Sequence, residues 1–251
     1  MNRLLFAVLR NERNFMKLKQ ITDRLIRELD NLSFGSPITH VYNPLKYARK
    51  PYDIYLERYG EKPKNIIFIG MNPGPWGMAQ TGIPFGEVNV VKEWLKIDAP
   101  VGEPQSLHPK RPVNGFACKK SEVSGKRLWG WAKDKFKTPE KFFSRFFVAN
   151  YCPLLFFEES GKNKTPNTLR AAERKPLLEI CDRALKEKIR YFNPGFVIGV
   201  GAFAYERAAQ ALGKTETRVG RITHPSPANP KANRGWHKLI TDELSDLGVC
   251  I

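Results

Sequence analysis

The chain has 251 residues, enough to bury one substantial core, and its 41% hydrophobic and 27% charged content excludes a disordered or fibrous protein. Its 42 lysines and arginines against 25 aspartates and glutamates leave a formal charge of +17, which favours polyanionic partners, nucleic acid first, because each neutralised phosphate releases condensed counterions. No apolar run approaches the roughly 20 residues of a membrane span, and Cys118, Cys152, Cys181 and Cys250 lie too far apart for a Cys-x-x-Cys zinc or iron–sulfur site, leaving free thiols that suit a reducing compartment.

At the start of the chain Leu4 to Leu9 is short for a signal-peptide core, and Arg10, Glu12 and Arg13 stand where a small-residue cleavage site belongs. The expectation is a cytoplasmic protein, nucleoid-associated in a prokaryote and nuclear in a eukaryote. Met16 offers an alternative start, which would make residues 1–15 a dispensable arm. From Leu18 the apolar residues Ile21, Leu25, Ile26, Leu29 and Leu32 recur at helical spacing and predict an amphipathic helix. Val41 to Gly60, with Asn43-Pro44 and Lys50-Pro51 as turn signals, is expected to wrap the sheet edge. Residues 65–70 predict a buried strand and Val88 to Leu95 a helix. Residues 98–130, rich in Pro, Gly, Lys and Ser, predict a long loop of the kind that is usually functional.

Phe143 to Tyr151 predicts a second strand, and Leu177, Leu178, Cys181, Leu185 and Ile189 mark a core-facing helix after the loop at 160–166. Phe196 to Val200 is a third strand, Ala202 to Leu212 a helix, and Arg218 to Thr223 a fourth strand. Alternating strand and helix imply one α/β domain with a central, mostly parallel four-stranded sheet and helices on both faces. Its ligand site is then expected at the carboxyl ends of the strands.

Chemistry concentrates at three of those ends. Residues 70–87 hold five glycines and three prolines directly after the first strand, a composition that excludes regular structure and marks a shaped loop. Asn150-Tyr151-Cys152-Pro153 ends the second strand and His224-Pro225-Ser226-Pro227 follows the fourth. Each end offers one polar side chain near a proline: Asn72, Asn150 and His224. Gly199-Val200-Gly201-Ala202-Phe203-Ala204 satisfies G-x-G-x-x-A, but Ile222-Thr223-His224 stands where that fingerprint needs an acidic ribose-binding residue. The glycines are therefore read as allowing a close helix–strand approach.

These three runs, together with Tyr42-Asn43-Pro44-Leu45, Pro109-Lys110-Arg111-Pro112-Val113, Ser121-Glu122-Val123-Ser124-Gly125-Lys126 and Ser160-Gly161-Lys162-Asn163, resemble the single-strand-selective monofunctional uracil-DNA glycosylases over roughly residues 40–250. The resemblance implies an α/β/α sandwich, no metal and no cofactor, and removal of uracil and 5-substituted uracils such as 5-hydroxymethyluracil from single- and double-stranded DNA by a monomer. It implies that Asn72 orients the attacking water and that His224 donates to uracil O2. Asn150 would pair with N3–H and O4, excluding cytosine, and Phe85 would stack on the flipped base.

Met71 and Gly74 complete the base pocket by the same resemblance, Gly74 leaving room beside C5 where the main uracil-DNA glycosylases carry a tyrosine. Ser124, Gly125 and Lys126, with Pro225, Ser226, Pro227, Ala228, Asn229, Lys231 and Arg234, are the implied DNA contacts. Ala228 departs from the arginine that commonly leads the segment entering the duplex. Two other functions fit parts of the sequence: a dinucleotide-dependent oxidoreductase built on the Gly199 loop, and a non-catalytic basic nucleic-acid-binding module.

Overall fold

A computed structural model of the chain describes residues 2–251, with side chains from Met16 onward. In chain order the elements are α1 (Asn2–Asp30), β1 (Ile38–Tyr42), α2 (Pro44–Tyr47), α3 (Arg49–Tyr59), β2 (Ile66–Gly70), α4 (Met78–Thr81), α5 (Val88–Glu93), α6 (Val123–Phe136), α7 (Pro139–Phe143), β3 (Phe146–Asn150), β4 (Leu155–Glu158), β5 (Asn163–Lys164), α8 (Ala171–Phe192), β6 (Phe196–Val200), α9 (Ala202–Leu212), β7 (Arg218–Ile222), α10 (Pro230–Asn233) and α11 (Trp236–Asp246).

Four strands form a fully parallel sheet in the order β3-β2-β6-β7. Every residue of β2 and β3 is buried, as strands covered on both faces require. Successive side chains point to opposite layers. Phe146 and Phe68 meet Trp131 of α6, while Phe147 meets Tyr55 of α3 and Phe192 of α8. Burying each such ring contributes about 1.5–3 kcal/mol, which makes this aromatic double layer the main fastening of the sheet. The expected α/β/α sandwich is therefore present, with α1, α3, α8 and α9 on one side and α6, α7 and α11 on the other.

Several sequence expectations need correction. Val41 to Gly60 does not wrap an edge; it forms the end of β1 and the helices α2 and α3. Pro44 and Pro51 sit in first turns, where a missing N–H costs nothing, and Asn43 caps α2 by accepting from Leu45 N at 3.2 Å. The loop expected over 98–130 ends at 122, because α6 begins at Val123 and buries Leu128, Trp129, Trp131 and Ala132 at helical spacing. A second, antiparallel sheet, β1-β4-β5, was not anticipated. The expected arm at 1–15 lies outside the residues whose side chains are described, its backbone from Asn2 belonging to α1.

What remains of the long loop is held by side chains that satisfy its backbone groups. Gln80 donates to Pro75 O and Pro112 O at 2.9 and 3.0 Å and accepts from Asn114 N at 2.8 Å. The Tyr42 hydroxyl accepts from His108 N at 2.7 Å and donates to Arg111 O at 2.9 Å.

Candidate active site

The carboxyl ends of β2, β3 and β7 converge on a cavity of about 440 Å³ lined by Asn72, Asn150 and His224, the three residues the sequence singles out, and by Met71, Gly74 and Phe85. Asn72 stands two residues past β2. Its Nδ2 donates to Leu154 O at 3.1 Å, which commits the donor half of the amide and leaves Oδ1 as an acceptor. Asn150, the last residue of β3, is 9% exposed, and its Nδ2 meets Met78 Sδ at 3.2 Å.

Gly70 makes the pocket floor possible. A Cβ there would overlap Asn150 Oδ1 and come within 2.7 Å of the Phe85 ring, so only glycine lets the strand end pass beneath both. Phe85 itself holds φ at 55° with its ring buried, an unfavourable backbone for a bulky residue that persists because its surroundings dictate it. Gly125 of α6 packs its Cα under the Phe85 carbonyl, where no side chain would fit. The Phe85 and His224 rings lie 6.2 Å apart and face the same space.

His224 is presented as a neutral donor. Its Nδ1 accepts from Ser226 N at 3.1 Å, which puts the ring proton on Nε2. Burial pushes its imidazole down to about 4, so it stays uncharged at neutral pH. The preceding residue is clamped: Thr223 N and Oγ1 donate to Glu243 at 2.7 and 2.6 Å, and Trp236 Nε1 donates to Thr223 O at 2.8 Å. Arg127 of α6 reaches the other side of the loop, donating to Pro225 O at 3.0 Å and Asn233 Oδ1 at 2.8 Å.

The Gly199 loop packs against this site. A Cβ at Gly199 would strike the backbone of Tyr205 in α9, and Gly201, at φ 92°, lies against the His224 side chain. Small residues here allow the close approach expected from the sequence, and the imidazole covers the second glycine.

The remaining expected contacts fall into two groups. Ser124, Gly125 and Lys126 lie in the first turn of α6, where Ser124 lines the cavity and the Lys126 N–H donates to Glu122 O at 2.9 Å. In the 225–234 segment Pro227, Ala228, Lys231 and Arg234 are exposed, Ser226 and Asn229 are partly buried, and Pro225 is buried. Asn229 caps α10 by accepting from Lys231 N at 3.1 Å.

The room expected beside Gly74 is occupied. A Cβ at Gly74 would overlap the Glu122 carboxylate, which also lies under Gly77. Glu122 comes from a segment distant in sequence, and nothing at positions 70–87 betrays its approach. Arg127, Glu243, Asn163 and Trp76 also went unassigned. Trp76 alone carried a signal, a large ring inside a glycine and proline loop; at the cavity mouth it carries Lys120 Nζ 4.0 Å over its face.

The model of the uracil DNA glycosylase superfamily matches residues 57–243. The rat (Rattus norvegicus) single-strand selective monofunctional uracil-DNA glycosylase is 49% identical over 228 residues, covering 90% of this chain and 82% of that protein. The mouse (Mus musculus) and cattle (Bos taurus) proteins of the same name are 48% and 47% identical over 90% of this chain, covering 82% and 84% of their own lengths. The crystal structure of wild-type Pedobacter heparinus SMUG2 shares the fold with a TM-score of 0.64 at 17% identity, covering 91% of this chain and 97% of that one.

Proposed function

Because the chain belongs to the uracil DNA glycosylase superfamily, and within it to the single-strand-selective monofunctional uracil-DNA glycosylases, we propose that its cavity holds a flipped uracil and hydrolyses the bond between the base and C1′ of the sugar. The observation that carries the reading is the pairing, in one cavity, of a committed amide with a free oxygen at Asn72 and a neutral imidazole with its proton on Nε2 at His224.

Breaking the C1′–N1 bond sends its electrons to the base, leaving positive charge on the sugar and negative charge on the uracil oxygens. The Nε2–H of His224 donates to O2 as that charge develops, an electrostatic contribution of the oxyanion-hole kind. A cationic imidazole would give up its proton to the base; a neutral one holds it and stabilises the anion. Asn72 Oδ1 accepts from a water and aims its oxygen at C1′. An amide is too weak a base to remove the proton early, so its contribution is position. The water oxygen bonds to C1′ as the uracil anion departs with the electrons of the broken bond, the water's proton passes through solvent to that anion, and an intact strand with an abasic site remains.

Asn150 selects the base. Its amide accepts from N3–H and donates to O4, whereas cytosine reverses that pattern and leaves buried polar groups unpaired at about 1–3 kcal/mol each. Phe85 stacks on the ring, and Met71 and Gly74 line the pocket. Ser124, Gly125, Lys126 and residues of the 225–234 segment contact the strand and offset the few kcal/mol that base flipping costs. The substrates are single- and double-stranded DNA containing uracil or 5-substituted uracils, and the chain acts as one domain and as a monomer.

Incubation with a uracil-containing oligonucleotide, followed by alkali, tests the reading. Scission at the uracil after alkali and an intact strand before it are expected. A strand that survives alkali overturns it, and scission before alkali overturns the monofunctional mechanism.

A further inference from the structure

Two acceptor atoms on the cavity wall, Glu122 Oε2 and Asn163 Oδ1, have no hydrogen-bond partner among the described residues. The Glu122 carboxylate lies against the main chain of Gly74 and Gly77, facing the N–H groups of Trp76 and Gly77. The residue as a whole is partly exposed where α6 begins, but Oε2 is buried and has no hydrogen-bond partner among the described residues. Asn163 Oδ1, on β5, is buried and unpartnered in the same way, and both residues line the cavity. Burial raises the Glu122 carboxyl to about 7, the two facing N–H groups opposing that rise. Unpaired buried acceptors are costly. A wall carrying two of them suits an occupant that brings its own donor.

The orientation of the base points to that occupant. With the sugar at N1, His224 at O2 and Asn150 at N3–H and O4, the only edge of the ring left is C5–C6. That edge is left to the lining that carries neither His224 nor Asn150, and Gly74 and Glu122 belong to that lining. We propose that Glu122 determines specificity at C5: its carboxylate accepts a hydrogen bond from a hydroxyl-bearing substituent and rejects a methyl, which would cover the oxygen without offering it a proton. The inference rests on the orientation of uracil proposed above. It replaces an empty space beside Gly74 with a polar group that discriminates between substituents of similar size.

The test compares single-turnover excision from otherwise identical single-stranded oligonucleotides carrying uracil, 5-hydroxymethyluracil or thymine. The readout is the rate on 5-hydroxymethyluracil divided by the rate on uracil, a ratio that a merely structural role for Glu122 does not move. Glu122→Ala should lower it about tenfold or more and bring thymine excision above background. Glu122→Gln, which keeps one acceptor oxygen, should fall between. Gly74→Ala displaces the carboxylate without removing it and should also lower the ratio, so it decides the matter if the Glu122 variants fail to fold by near-ultraviolet circular dichroism. A ratio within twofold of the parent protein's overturns the inference, as does equal loss on both substrates. A parent protein that leaves uracil untouched removes the proposed activity itself, and this inference with it.

Discussion

Leu154 O commits the Nδ2 half of the Asn72 amide and leaves Oδ1 as the acceptor for the proposed water. Asn72→Ala removes the acceptor that the proposed mechanism uses to hold the water. We expect single-turnover excision to fall by about 10² or more while DNA affinity changes little; equal loss in excision and binding would make Asn72 a folding residue. His224→Leu deletes the donor and keeps comparable bulk, and one such donor typically accounts for about 10²–10³ in rate. Activity within twofold of the parent would exclude His224 from the mechanism. The neutral ring adds a pH signature: with its imidazole held down to about 4, His224 imposes no loss of rate between pH 5 and 8. A rate that falls steeply through pH 6.5 in the parent but not in His224→Leu would contradict that.

At the scale of elements, the loop after β7 is shaped by helices on either side of it. Glu243 and Trp236 of α11 fix its base and Arg127 of α6 fixes its middle. Arg127→Ala leaves the Pro225 and Ser226 carbonyls without that donor, and faster hydrogen exchange over 225–229 with an unchanged core is the expected result. Beyond the clamp, Ala228 is exposed and its N–H donates to Ser226 Oγ at 3.2 Å. If residue 228 heads the segment that enters the duplex, its methyl replaces little of the stacking lost on flipping, and duplex substrate should suffer more than single strand. Ala228→Arg adds a stacking plane and a charge, and there is space for it. Duplex excision should rise more than single-strand excision, part of the gain fading with salt. Equal gains on both substrates would reduce the arginine to general affinity and remove residue 228 from the wedge.

For the whole molecule, two buried groups pull stability in opposite directions as pH changes. The Glu122 carboxyl, raised from 4.5 to about 7, keeps its proton in the native state after the unfolded chain has released it, so its contribution is present below pH 4.5 and lost as pH rises toward 7. The His224 imidazole is lowered from 6.5 to about 4, so the unfolded chain binds the proton first and stability is lost as pH falls from 6.5 toward 4. Glu122→Gln removes only the first effect. Relative to the parent, its urea midpoint should improve between pH 5 and 8 by the equivalent of roughly 1–3 kcal/mol. A difference that stays flat across that range would mean that Glu122 titrates normally.

The four core strands and the helices α8 and α9 were legible in the sequence because their signals are local: continuous apolar runs, helical periodicity, and glycine or proline at the boundaries. So were Asn72, Asn150 and His224, each set at a strand end by its own neighbours along the chain. The helices α2, α3 and α6 were obscured by prolines and glycines that look like breakers locally, yet Pro44 and Pro51 occupy permitted first turns and Gly125 answers to the Phe85 carbonyl across space. The tautomer of His224, the commitment of the Asn72 amide and the clamp from Arg127 and Glu243 join residues 2 to 98 positions apart, and only the fold chooses those partners. Glu122 marks the limit of local reading. Gly74 announces a vacancy, and the tertiary structure fills it with a carboxylate from 48 residues away, because an absent side chain records where space is needed without naming the group that takes it.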